Sequence, residues 1–115
     1  MVATSTGFFL VYQDDQGGAH LGSFGASGAP VGDRALDVAG SSRLGRLGAG
    51  MVLGASGGAG AQLRALDAAG VETGVTADVA VALPDQDFES RSDGTVAWAT
   101  LSGTALSVVR VPPCP

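Results

Sequence analysis

The sequence predicts an all-β chain built from four-stranded antiparallel units, and three observations carry that expectation. Residues 18–32 recur without a gap at 60–74, a spacing of 42 residues, with identities at Gly18/Gly60, Ala19/Ala61, Leu21/Leu63, Ala26/Ala68, Gly28/Gly70 and Gly32/Gly74. The apolar pair Phe24/Leu66 falls in the same register, and a period near 40 residues marks stacked supersecondary units. Next, short β-branched and aromatic runs alternate with Gly-, Asp- and Ser-rich turns along the chain, as in strands joined by hairpins. Lastly, 45% of the 115 residues are apolar, yet only six are aromatic and 19 are glycine. A core of small side chains buries little area per residue, and glycine raises the entropy cost of ordering the chain. Tightly stacked sheets suit that composition better than an isolated helical bundle.

The elements follow in order. Phe8 to Tyr12 is a short strand closed by the turn Gln13-Asp14-Asp15-Gln16-Gly17-Gly18. Residues 18–24 form the next strand, and Ala26-Ser27-Gly28 is a hairpin connection in which Gly28 supplies positive φ. Arg34 to Ala39 is a third strand, and Gly40-Ser41-Ser42 breaks the chain. The second unit opens with Arg43 to Leu47, then a buried strand at Met51 to Leu53, then Ala61 to Leu66. Asp67-Ala68-Ala69-Gly70 makes the turn, and Val75 to Leu83 closes the unit. Its alternating Val75, Ala77, Val79 and Val81 suit a sheet with one well-packed face. A third unit starts at Phe88 to Ser90, turns at Asp93-Gly94, and continues through Thr95 to Thr100 and Thr104 to Val111. Leu10-Val11-Tyr12 matches Val96-Ala97-Trp98, two periods on. The prolines at 112, 113 and 115 cannot continue a ladder, so the closing strand of the third unit is expected to be missing.

The organisation is one partial domain with units at about residues 1–41, 42–84 and 85–115. Four short antiparallel strands per period is the blade of a β-propeller. The chain resembles the degenerate propeller repeats of large secreted bacterial proteins. The segments Phe9–Asp15, Ala26–Gly32 and Leu66–Gly70 carry the likeness: apolar strand, acidic or Gly turn, Pro-x-Gly, closing strand. The resemblance implies about two and a half blades of an incomplete propeller, a C-terminal fragment or a self-assembling part, with a non-catalytic binding or scaffolding role. It also implies an extracellular or cell-surface place if the chain belongs to a longer secreted protein. The N-terminus has no charged n-region and no long apolar stretch, so no signal peptide is read there.

A competing reading starts from residues 51–70. Gly54, Gly57 and Gly60 give G-x-x-G-x-x-G, which resembles the nucleotide loop of atypical short-chain dehydrogenases and implies an NAD(P)-binding oxidoreductase-like fragment. A strand at 51–53 would feed the loop, and a helix over about 60–68 would aim its amides at a pyrophosphate, with Gly70 as C-cap. Against it stand the 45 residues after Gly70, too few to complete such a fold, and the position of Asp78 inside a strand-like run. The block also has a Pro-containing counterpart at 18–32. The preferred reading is therefore no cofactor.

Charge narrows the partners. The net charge is −5 and all six basic residues are arginine, the reverse of the basic stripe that nucleic acid or anionic membrane requires. The single histidine, His20, aligns with Gln62 and reads as a solvated polar strand residue; no catalytic set is predicted around it. One His and one Cys (Cys114) give no metal site. The acidic clusters Asp14-Asp15 and Asp85, Asp87, Glu89 read as turn acids bonding local amides. Arg43, Arg46, Arg64, Arg91 and Arg110 read as exposed strand positions, and Tyr12 and Trp98 as core residues rather than a carbohydrate-stacking pair. Gly28, Gly70 and Gly94 are the structural turns, and open unit faces are expected to self-associate.

Overall fold

The structure is a computed structural model that describes residues 1–38, 42–57, 60–83, 88–91 and 93–112. Among them the regular structure is all β, in antiparallel sheets and with no helix. Sheet I runs in the order β1 (Val2–Ala3), β2 (Gly7–Gln13), β3 (Ala19–Gly25) and β4 (Pro30–Ala35). Sheet II repeats that order with β5 (Ser42–Leu47), β6 (Gly50–Gly57), β7 (Gly60–Leu66) and β8 (Glu72–Val79). Sheet III has three described strands, β9 (Glu89–Ser90), β10 (Val96–Ser102) and β11 (Ala105–Val111), with β10 in the middle. Asp85, Asp87 and Cys114 lie outside the described residues.

One hairpin form explains how short strands of weak propensity are held in register. The amide of the first residue bonds the carbonyl four residues on, and the amide of the fourth bonds the carbonyl of the first, at Asp14–Gly18, Gly25–Ala29, Asp67–Val71 and Arg91–Thr95. The fourth residue is always glycine with positive φ: Gly17 at 82°, Gly28 at 85°, Gly70 at 81° and Gly94 at 90°. This is the three-residue loop with a glycine bulge, whose left-handed position excludes most side chains. Asp14 and Asp67 reinforce their turns by accepting two further amides each through Oδ1.

The sheets stack face to face with sheet II in the middle, and the strand period of two sorts every side chain. One core joins Ala19, Leu21 and Phe9 of sheet I to Leu44, Met51, Leu53 and Leu66 of sheet II. The second joins Val52, Ala61 and Leu63 of sheet II to Val96, Trp98, Val109 and Val111 of sheet III. Each sheet therefore has a forward side, toward the sheet after it, and a back side. Residues 42 apart keep the same side: Ala19 and Ala61, like Leu21 and Leu63, face forward, whereas Phe24 pairs across from Phe8 on the back of sheet I and Leu66 lies on the back of sheet II. The β3–β4 and β7–β8 ladders each slip between the glycine hairpin and mid-strand, by one residue in sheet I and two in sheet II.

Three expectations are corrected. The strand expected at 34–39 is β4, the fourth of sheet I, and occupies 30–35, because the glycine bulge returns the chain at once. The closing strand of sheet II ends at Val79, and its Val75 is 58% exposed instead of packed, since no described strand of sheet III lies over it. Arg46 and Arg64 are not simply surface residues. Arg34 donates to the carbonyl of Gly70, Arg64 to that of Asp37 at 3.2 Å and Arg46 to that of Ala3 at 2.5 Å, so guanidinium groups strap sheets I and II together in both directions.

Candidate interaction surfaces

The stack exposes one side at each end. At the sheet I end, the back side carries Phe8, Leu10 and Tyr12 on β2 opposite Phe24, Gly22 and His20 on β3. Phe8 stacks on Phe24 with ring centroids 5.0 Å apart, and Tyr12 on His20 at 5.2 Å. Gly22 lies beneath these rings; a Cβ there would stand 2.9 Å from the Phe24 ring. Sequence alone makes His20 an isolated solvated residue, yet the structure sets it between two carboxylates. Its Nε2 meets Asp14 Oδ2 at 2.8 Å and its Nδ1 meets Asp33 Oδ2 at 3.0 Å. Tyr12 donates its hydroxyl to the other oxygen of Asp33 at 2.5 Å. The signal that could have found this cluster is the two-residue alternation placing Tyr12, His20 and Asp33 on one side once the pairing of β2, β3 and β4 is known.

Electrostatics follow from that geometry. The Asp14 carboxylate, and after it that of Asp33, holds the His20 imidazole above its ordinary value. Asp14 is lowered chiefly by His20 and then by the amide of Gly18. Asp33 is lowered first by the Tyr12 hydroxyl and further by His20, and the same bond raises Tyr12. With a carboxylate at each ring nitrogen, only the imidazolium donates to both. The cluster is a closed clasp, tying the β2–β3 turn to β4 across β3, and has no free ring nitrogen to act as a base. Among the described residues no three His, Cys, Asp or Glu groups are arranged to hold a metal ion.

At the sheet III end, the forward side is aliphatic. Ala97, Ala99 and Leu101 of β10 pair with Arg110, Val108 and Leu106 of β11. Leu101, Leu106 and Val108 are 71%, 70% and 72% exposed. Trp98, on the middle strand β10, lies on the opposite side, 1% exposed, its indole donating to the Ala82 carbonyl at 3.1 Å and its ring 6.2 Å from Phe88. Tyr12 and Trp98 thus both face back on the second strand of their sheets, but only Trp98 has a sheet behind it.

The glycine segment falls elsewhere. Gly60–Leu66 is β7, a strand, in place of the helix that a pyrophosphate loop needs, and Gly57 pairs directly with Gly60. Gly54 sits mid-strand under sheet III, where a Cβ would approach Phe88 to 3.0 Å and Leu83 to 3.1 Å. Gly60 borders a cleft of about 610 Å³ between sheet II and Asp37 and Val38 of the connection after β4; its Arg64 is engaged by Gln62 at 2.7 Å and Glu72 at 3.3 Å. Comparison of the chain with protein-family models, curated proteins and solved structures finds no match.

Proposed function

We propose that this chain is a non-catalytic binding and scaffolding module built from propeller-type blades, and that it associates head to tail through its two end faces. The observation that carries this reading is the constant order of contact: the forward side of sheet I meets the back of sheet II, and the forward side of sheet II meets the back of sheet III. The two sides left over are the forward side of sheet III and the back side of sheet I, so joining copies continues the same sequence of contacts. Their chemistry supports the pairing. A largely aliphatic surface, with Arg110 and Glu89 flanking Ala97, meets a largely aromatic one that carries the His20 clasp at one end. Such a contact is heterologous, and it closes into a ring when the rotation per unit allows. Burying Leu101, Leu106 and Val108 supplies the driving force, at roughly 1.5–3 kcal/mol per large aliphatic side chain fully covered.

Sedimentation over a range of protein concentrations tests the proposal. The parent chain is expected to associate reversibly, and Leu101→Glu, which sets a charge in the aliphatic face without touching either core, to remain monomeric. A parent chain that stays monomeric at every concentration contradicts the reading.

A further inference from the structure

Sheets I and II each have a fourth strand hydrogen-bonded outside their third, β4 on β3 and β8 on β7. In sheet III the strand in that third position is β11, and among the described residues nothing pairs with its outer edge. The β10–β11 connection has two residues, Gly103 and Thr104, between the paired Ser102 and Ala105. That loop makes Ser102 and Ala105 a hydrogen-bonded pair. By alternation the amides and carbonyls of Leu106, Val108 and Arg110 point away from β10. They form a ready row of donors and acceptors.

A second observation lies beside that edge. Between sheets II and III runs a groove of about 380 Å³ lined by Leu63, Ala65, Val75, Ala77, Val96 and Val111. It is continuous with the second core, to which Leu63, Val96 and Val111 belong. β8 is two-sided: Thr76 and Asp78 lie on the side toward sheet I, paired with Arg64 and Gln62, while Val75 and Ala77 lie on the side of the groove. The apolar side is the bare one.

We propose that β11 and the forward side of β8 form an acceptor site for an extended polypeptide strand, which pairs with β11 as the fourth strand of sheet III. Its occupant carries small or β-branched apolar side chains at every second position, covering Val75 and Ala77. The alternate positions face outward and tolerate polar residues. Backbone pairing supplies affinity and the groove supplies selection. β4 and β8 are edge strands too, but each already fills the fourth position of its sheet, whereas among the described residues nothing fills the fourth position of sheet III, beside the uncovered Val75 and Ala77. The site does not depend on end-face association, since the strand lies along a sheet edge and the other copy against a sheet face.

The test uses a fluorescent Lys-Val-Thr-Val-Thr-Val-Thr-Lys peptide and the Leu101→Glu chain, in which end-face association is absent. Anisotropy reads binding, and amide hydrogen exchange reads its place. Protection is expected at Leu106, Val108 and Arg110. Val75→Glu, at a side chain already exposed, is expected to weaken binding by about tenfold or more through burial of an unpaired charge. Val108→Pro removes an outward donor while leaving the bonds to β10, and is expected to weaken binding similarly; unchanged Trp98 fluorescence confirms that sheet III is still packed. Absence of binding at millimolar peptide, protection on β4 or β8 instead, or affinity undiminished from the Leu101→Glu chain in either variant overturns the proposal. Those outcomes leave the head-to-tail reading standing, and failure of association in the parent chain leaves this site standing.

Discussion

Tyr12 and Trp98 hold equivalent places at the two ends of the stack, and they differ in everything that a covering sheet confers. Each lies on the second strand of its sheet and faces back. Trp98 meets sheet II and is 1% exposed, with its indole bonded to a backbone carbonyl; Tyr12 meets solvent, is 37% exposed, and directs its hydroxyl to Asp33. The back of sheet I has answered exposure with polar groups around its rings. The forward side of sheet III carries Arg110 and Glu89 at its Ala97 end, and the rest of it is aliphatic. The lesson is that an aromatic in an apolar strand becomes core or surface according to its neighbour in the stack, not its own strand.

Truncation at the two positions sharpens that contrast most. Trp98→Ala removes the largest buried side chain and is expected to cost about 3–5 kcal/mol in chemical denaturation. Tyr12→Ala leaves no cavity between sheets and is expected to cost about 1 kcal/mol or less, within the range of surface changes. Equal costs would break the comparison.

The next effect separates two turns of identical form. Gly28 and Gly70 both occupy the left-handed position of a glycine hairpin, at 85° and 81°, so replacing either by Ala is expected to cost about 1 kcal/mol from backbone strain alone. Gly28 is in open space, whereas a Cβ at Gly70 would stand 3.0 Å from Phe9 and 3.1 Å from Leu21. Gly70→Ala should therefore add an overpacking cost of about 1 kcal/mol or more. Their equal place in the sequence period suggests equal cost; the inter-sheet position of Gly70 is what makes them unequal.

The smallest effect reads the polar clasp of sheet I. Because the folded His20 titrates above its ordinary 6.5, its contribution is fully present below that pH and is lost as pH rises through the folded value. Asp14 and Asp33 titrate below their ordinary 3.8, so theirs is present above that pH and lost as pH falls through the folded values. The clasp is complete between those limits, from about pH 4 to 6.5. His20 is the only histidine, so NMR titration follows it unambiguously. Asp14→Asn should move its midpoint down, and His20→Gln should flatten the loss of stability as pH rises above 6.5. An unchanged midpoint in Asp14→Asn would contradict the clasp.

Much of the architecture was legible because it rests on local signals. The spacing of Gly28 and Gly70 and the Asp-x-x-Gly turns mark hairpins whose geometry only glycine serves well, and the alternation of Leu21 or Leu63 with polar neighbours fixes which side is buried. What stayed hidden depends on partners distant in the chain. His20 becomes a clasp only when β3 pairs with β2 and β4, which brings Asp14 and Asp33 to its two nitrogens. Arg34 and Arg64 become straps only because sheet II lies against sheet I. The same dependence misled the reading of Val75, whose strand pattern announces an apolar side without saying whether anything covers it.

The head-to-tail claim is tested most directly by mixing two variants in the ultracentrifuge. Leu101→Glu spoils the forward face of sheet III and Phe8→Glu spoils the back face of sheet I, so each alone keeps one good face. The account predicts that each is monomeric by itself and that an equimolar mixture forms a dimer, one intact forward face against one intact back face. A mixture that stays monomeric, or a Phe8→Glu chain that still associates with itself through sheet III, would contradict it.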